Sequence, residues 1–172
     1  FECIPQSVFN ISDVEETGKD FEENAILKAK NAFIKTNISS VGDDSGLIVP
    51  AINNEPGLYS ARYAGLNATD SDNRNKLISK LKDNKLESTY AYFFCCIVAV
   101  GIKGQNEIIV CSGKVEGEVS TIERGEKGFG YDPMFYPKGY SESFAELNSL
   151  EKNKISHRGA ALKKLTDKLN KT

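Results

Sequence analysis

The chain has 172 residues, 40% hydrophobic and 27% charged, which is the size and balance of one globular domain with a substantial core. Its 22 lysines and arginines nearly balance 24 aspartates and glutamates, so no whole-molecule field draws it to nucleic acid or to an anionic membrane, and an anionic ligand must be held locally. The longest apolar uncharged stretch, 89–102, falls short of the roughly 20 residues of a membrane helix.

Residues Phe1 to Pro5 show no basic segment leading into an apolar run, so no secretory signal is expected. Thr17 followed by Asp20 reads as a helix start, and Phe21, Ala25, Ala29, Ala32 and Phe33 then recur at helical spacing to about Lys35. Thr69 with Asp72 forms a capping pattern ahead of a second amphipathic helix at 70–83, marked by Leu77, Ile78 and Leu81. Residues 89–102 are aromatic and β-branched on both alternating faces, as in a strand covered on two sides. Turn residues follow over 101–106, and 107–115 reads as the second strand of an antiparallel hairpin. Ser156 can cap a last helix striped by Leu162, Leu165 and Leu169. With no repeat or linker, the alternating elements imply one α/β domain over 1–172.

The four cysteines form no Cys-x-x-Cys pair, and Cys95 and Cys96 would point to opposite faces of a strand. With a single histidine, a metal centre would have to use carboxylates, which suits magnesium or calcium better than zinc. Free thiols point to a cytoplasmic setting.

Four segments are richer in glycine, acids and special side chains than packing requires. Glu15-Glu16-Thr17-Gly18 and Phe21-Glu22-Glu23-Asn24-Ala25 put acids at a helix start, where they would also complement the dipole. Val41 to Leu47 contains the adjacent carboxylates Asp43 and Asp44, then Ser45, between glycines. Like charges so close disfavour each other unless a cation resolves them. The segment can equally be a turn in which aspartate and serine satisfy backbone amides. A Ser-His-Asp hydrolase is disfavoured because Ser45 lacks the Gly-x-Ser-x-Gly elbow. The third segment, 55–65, sets Arg62 between Tyr59 and Tyr63. In the fourth, glycines flank Phe129, so that a flat base can stack on the ring, while Lys152 and Arg158 offer donors to a purine edge or phosphate.

Taken in order, Glu-Glu-Thr-Gly, Phe-x-Glu-Asn-Ala, Asp-Asp-Ser-Gly-Leu, Pro-Gly-x-Tyr-Ser-Ala-Arg-Tyr, Gly-Phe-Gly-Tyr-Asp-Pro and Ile-Ser-His-Arg-Gly resemble the inosine triphosphate pyrophosphatase family, also called XTP/dITP diphosphatases, from about residue 15 to 163. That resemblance implies an elongated twisted mixed β-sheet flanked by helices, with two lobes and a central cleft. It also implies a homodimer and magnesium-dependent cleavage of ITP, dITP or XTP to the monophosphate and pyrophosphate. Family members usually open with a strand and a Thr/Ser-x-x-Asn-x-x-Lys phosphate loop, and nothing before Glu15 matches it. By the same resemblance Glu16 and Asp44 are the metal-site candidates and Asp44 the catalytic one. Ser45 would touch phosphate or sugar. Phe129 would be the stacking platform, with Gly130, Tyr131, Asp132, Lys152, His157 and Arg158 around the base. Two other readings compete: a non-catalytic purine nucleotide-binding module without the phosphate loop, and a pyrophosphatase for modified pyrimidines, which would lack these motifs.

Overall fold

The computed structural model describes residues 2–102 and 107–171. Helix α1 (Phe21–Thr36) begins at Asp20, whose side chain accepts from the Glu23 amide. Thr17 lies outside the cap, so the helix starts later than the Thr17 to Asp20 pattern suggests. Strand β1 (Ser40–Val49) follows, then the two-residue β2 (Glu55–Pro56) and a 3-10 turn at Gly57–Arg62. Helix α2 (Asp70–Asp83) carries the expected reciprocal capping box between Thr69 and Asp72. Strands β3 (Ser88–Val100) and β4 (Ile108–Ser120) form the hairpin, while of the expected turn at 101–106 residues 103–106 lie outside the described residues. The short β5 (Phe135–Pro137), helix α3 (Ser149–Ile155) and helix α4 (His157–Asn170) complete the chain. Ser156 caps α4, as its position predicted, by accepting from the Gly159 amide.

The sheet order is β2-β1-β3-β4-β5, and every pairing is antiparallel. The α/β architecture is the expected one, but the sheet is antiparallel rather than mixed. The excursion through β2 and α2 leaves β1 and re-enters β3 at the same end of the sheet, so no crossover is made and the chain runs back. Strand β4 outruns its predicted end at Val115, because buried Gly117 and Val119 alternate with exposed Glu116 and Glu118.

Strand β3 sits at the centre with both faces covered. Cys95, Ile97 and Ala99 pack with Ala161 and Leu165 of α4, while Cys96, Val98 and Val100 pack with Ala25 and Ala29 of α1. Cys95 and Cys96 thus face opposite ways, and burial pushes their thiols up to about 12 and about 11, so they act as packing groups. A third cluster joins Leu77 and Leu81 of α2 to Phe93, Met134, Phe135 and Phe144. Each such fully buried leucine or phenylalanine contributes about 1.5–3 kcal/mol. The two groups of elements, one around α1 and α4 and one around α2, meet at a cleft of about 300 Å³. Among the described residues, no helix is long and apolar enough to cross a membrane.

Two glycines set how closely the flanking helices lie. A Cβ on Gly42 of β1 would stand 2.6 Å from the Ala29 amide nitrogen in α1, and one on Gly113 of β4 would stand 2.0 Å from the His157 carbonyl oxygen at the start of α4. Because backbone cannot give way there, Gly113→Ala is expected to displace α4 and destabilise the protein by about 1–3 kcal/mol. A denaturant midpoint equal to that of the parent chain would show that α4 is not seated by this contact.

Candidate active site

Strand β1 brings the site together. Strand β2 pairs only with Ile48 and Val49, which leaves the outer edge of β1 from Ser40 to Leu47 without a strand neighbour among the described residues. The cleft wraps over this edge and is bordered by side chains from both faces, including Asp43, Asp44, Ser45, Phe129 and Arg158.

The Asp43-Asp44 segment is a strand and not the turn that its composition also allowed. Alternation sends the two carboxylates to opposite faces, where each meets its own cation. Asp44, 7% exposed, accepts from Lys28 Nζ at 2.9 Å through Oδ1 and from Asn24 Nδ2 at 3.1 Å through Oδ2. Lys28 also reaches the Asp43 carbonyl at 3.1 Å and pairs with Glu16 Oε1 at 2.6 Å. Arg62 Nη1 donates to the other Glu16 oxygen at 2.6 Å. On the opposite face Asp43 Oδ2 accepts from Arg158 Nε at 3.0 Å and Nη2 at 2.8 Å, and Nη2 also reaches Ser45 Oγ at 3.2 Å.

Although Glu16 and Asp44 share Lys28, their acidities diverge. Burial acts to raise the Glu16 carboxyl, but hydrogen bonds and charge from Lys28 and Arg62 hold it below the usual range. Burial raises Asp44, and Lys28 and Asn24 offset that only in part. A partly desolvated carboxylate with a raised pKa is the better proton acceptor. Among the described residues no three His, Cys, Asp or Glu side chains stand together as a complete metal cage. The Glu16 and Asp44 pair suits a hard cation such as Mg²⁺, which typically takes one or two carboxylates and completes its shell with water and phosphate oxygens.

At the other end of the cleft Phe129 is 58% exposed, open enough for a base to stack on its ring. Lys152 Nζ lies 4.7 Å and the Arg158 guanidinium 5.6 Å from its centre. Gly128 and Gly130 both have positive φ, 81° and 59°, so the backbone itself requires them. A Cβ on Gly128 would also strike the Asp132 carboxylate at 2.1 Å. Asp132, 2% exposed, accepts the Phe129 amide at 2.8 Å and is ion-paired with Lys152, so it holds the platform from beneath. Tyr131, 3% exposed, donates its hydroxyl to the Ser60 carbonyl at 2.9 Å and closes the cleft floor.

His157 stacks on Phe93 at 4.8 Å with the rings 10° apart, and its Nδ1 is buried with no hydrogen-bond partner among the described residues. Burial, then the charges of Arg158 and Lys152, lower its pKa to about 3, so it is neutral. An unpaired polar atom bordering a cleft is a natural contact for a ligand.

All the predicted site residues therefore converge on one cleft, except that Lys152 stands behind Asp132 and over Phe129. Sequence reasoning gave no role to Asn24 and Lys28, although their i, i+4 spacing places both on the α1 face turned to β1.

The sequence profile of the Ham1 family matches residues 2–168. The chain belongs to the Ham1 family. It is 48% identical over 163 residues to a dITP/XTP pyrophosphatase of Legionella pneumophila (strain Lens), covering 95% of this chain and 84% of the relative. Among solved structures, a HAM1 protein from Coxiella burnetii superposes with a TM-score of 0.90 at 43% identity, covering 98% of this chain and 86% of that one. The Staphylococcus aureus Ham1 protein superposes with a TM-score of 0.86 at 44% identity, covering 96% and 84%.

The buried histidine of this Ham1 chain makes its stability pH-dependent. The folded pKa lies below the unfolded value of 6.5, so the unfolded state takes the extra proton between about 6.5 and 3 and stability falls as pH falls through that window. Between pH 7 and pH 5 the loss from this residue is about 2 kcal/mol. His157→Asn should lack that increment in denaturant unfolding at the two pH values; an unchanged pH dependence would assign the loss to other groups.

Proposed function

We propose that this chain hydrolyses non-standard purine nucleoside triphosphates, dITP, XTP and ITP, to the nucleoside monophosphate and pyrophosphate, removing them from the nucleotide pool. Membership of the Ham1 family and the dITP/XTP pyrophosphatase relative at 48% identity support the activity. The observation that carries the reading onto this chain's own residues is the single cleft that joins an open aromatic ring, Phe129, to a buried, raised-pKa carboxylate, Asp44. A non-catalytic binding module has no use for the second of these.

Water attacks a phosphorus of the α–β anhydride and the bond from that phosphorus to the bridging oxygen breaks, so that the monophosphate and pyrophosphate separate; Asp44 orients the water and takes its proton. Asn24 and Lys28 fix the Asp44 carboxylate by one bond to each oxygen, so that it need not reorganise as the proton moves. Glu16 and Asp44 would hold the Mg²⁺ which, when bound, neutralises charge on the phosphate oxygens. Ser45, tied to Arg158, faces the same space and would touch phosphate or sugar.

At the base end Lys152 and Arg158 face the ring that would carry the purine. Hypoxanthine and xanthine present an oxygen acceptor at position 6, where adenine presents an amino donor. A buried donor facing another donor leaves both unpaired, at about 1–3 kcal/mol each.

We further propose a cytoplasmic homodimer. The apolar hairpin is covered by α1 and α4, so the surface offered for the contact is the loop around Tyr59 to Tyr63, where Tyr59 is 63% exposed. Sedimentation as a monomer at micromolar concentration would remove the dimer.

Pyrophosphate release should be fastest from ITP, dITP and XTP, slow from ATP, and dependent on added Mg²⁺. A general base supplies a factor of roughly 10²–10⁴, so Asp44→Asn should lower kcat at least about a hundredfold; near-normal turnover would remove Asp44 from the reaction.

A further inference from the structure

Asp70 and Arg74 stand one helical turn apart at the start of α2, and both reach the same distant residue. Asp70 Oδ2 accepts the Gly130 N–H at 2.6 Å, and Arg74 Nη1 donates to the Gly130 carbonyl at 3.0 Å. The i, i+4 spacing puts both side chains on one face of the helix, so a single backbone residue is held at its amide and at its carbonyl. The same guanidinium donates through Nε to Glu123 Oε1 at 2.8 Å, which ties the beginning of the loop to its tip. Arg74 is well covered, with 17% of its side chain exposed.

Gly130 adjoins Phe129, and the open Phe129 ring has too little packing to hold itself in place. Gly128 and Gly130 on either side both adopt the left-handed conformation, in which glycine is freest, so the loop has little stiffness of its own. Asp132 anchors the Phe129 amide, and the α2 clamp anchors the two peptide groups that flank the Gly130 Cα.

We propose that Arg74, together with Asp70, is a positioning residue for base recognition: by fixing both polar groups of Gly130 it sets the Phe129 platform, and hence nucleobase affinity, without acting on the chemistry at Asp44. This rests on the purine triphosphate reading given above. The planar fork of arginine presents its donors to the carboxylate and the carbonyl in fixed directions, which the compact point charge of a lysine on a flexible stem does not.

Arg74→Ala should raise KM for ITP about tenfold, the loss expected for one hydrogen bond from a charged donor, and leave kcat within about twofold. Arg74→Lys should recover only part of that loss. The chain contains no tryptophan, so Phe129→Trp supplies a single fluorescent reporter at the loop tip. Adding Arg74→Ala to it should lower the steady-state anisotropy and increase acrylamide quenching in the absence of nucleotide. Should Arg74→Ala fail to fold, Asp70→Ala breaks the other half of the clamp and should show the same split. An unchanged KM with an equally immobile tryptophan overturns the proposal, as does a fall in kcat at constant KM. If the parent chain does not cleave ITP, the functional reading fails, and the tryptophan reporter still decides on the clamp because it needs no turnover.

Discussion

Strand β1 turns two carboxylates that are adjacent in the chain to opposite faces of the sheet, and each face brings its own cation. Lys28 comes from α1 and Arg158 from α4, so the site exists only while both helices lie close against the strands. Gly42 and Gly113 permit that approach, one under each helix. The packing of the hairpin between α1 and α4 and the electrostatics of the cleft are therefore one arrangement: loosening α1 would leave the buried Asp44 without its counter-charge, which costs more than the pair contributes.

From that arrangement the two acids beside Lys28 acquire different characters. Glu16 has two cationic partners and is the stronger acid; Asp44 is deeper, shares one cation, and is the weaker. Environments that drive neighbouring carboxyls apart in pKa are how one site separates a charge-holding group from a proton acceptor. Arg158 joins this end of the cleft to the other, since its guanidinium contacts Asp43 and Ser45 while facing the Phe129 ring. A base stacked on Phe129 would thus meet a side chain already fixed by β1.

The sequence displays the parts of this molecule that repeat. Helices α1, α2 and α4 and the hairpin carry periods of 3.6 or 2 with caps at Thr69 and Ser156, and these signals survive folding because burial created them. Asp43-Asp44-Ser45 was ambiguous because glycine and aspartate are poor strand formers; the register against Cys95 to Ile97 overrides that preference, and no local pattern carries it. Lys28 is hard to single out in the sequence because a lysine on a helix normally belongs to the solvated face, and only the contact that it and Asn24 make with a strand residue some way along the chain gives the two a role. The spacing of Asp70 and Arg74 was visible, but their target, Gly130, lies beyond two strands and is legible only in three dimensions.

The charges around the cleft bear on how a triphosphate could enter. Lys28, Arg62, Lys152 and Arg158 are all cations, yet each is already paired with a carboxylate: Lys28 with Glu16 and Asp44, Arg62 with Glu16, Lys152 with Asp132, and Arg158 with Asp43. With a net charge of −2 over the whole chain, no general positive field compensates. A bare polyphosphate would have to displace these carboxylates from their partners, leaving uncompensated negative charge in a partly buried groove. A polyphosphate that brings a divalent cation meets the opposite situation, because the acids of Glu16 and Asp44 then become ligands instead of rivals. Carboxylates so placed would repel a free polyphosphate and favour its magnesium complex, and that is the physical ground for expecting the proposed reaction to depend on a divalent cation.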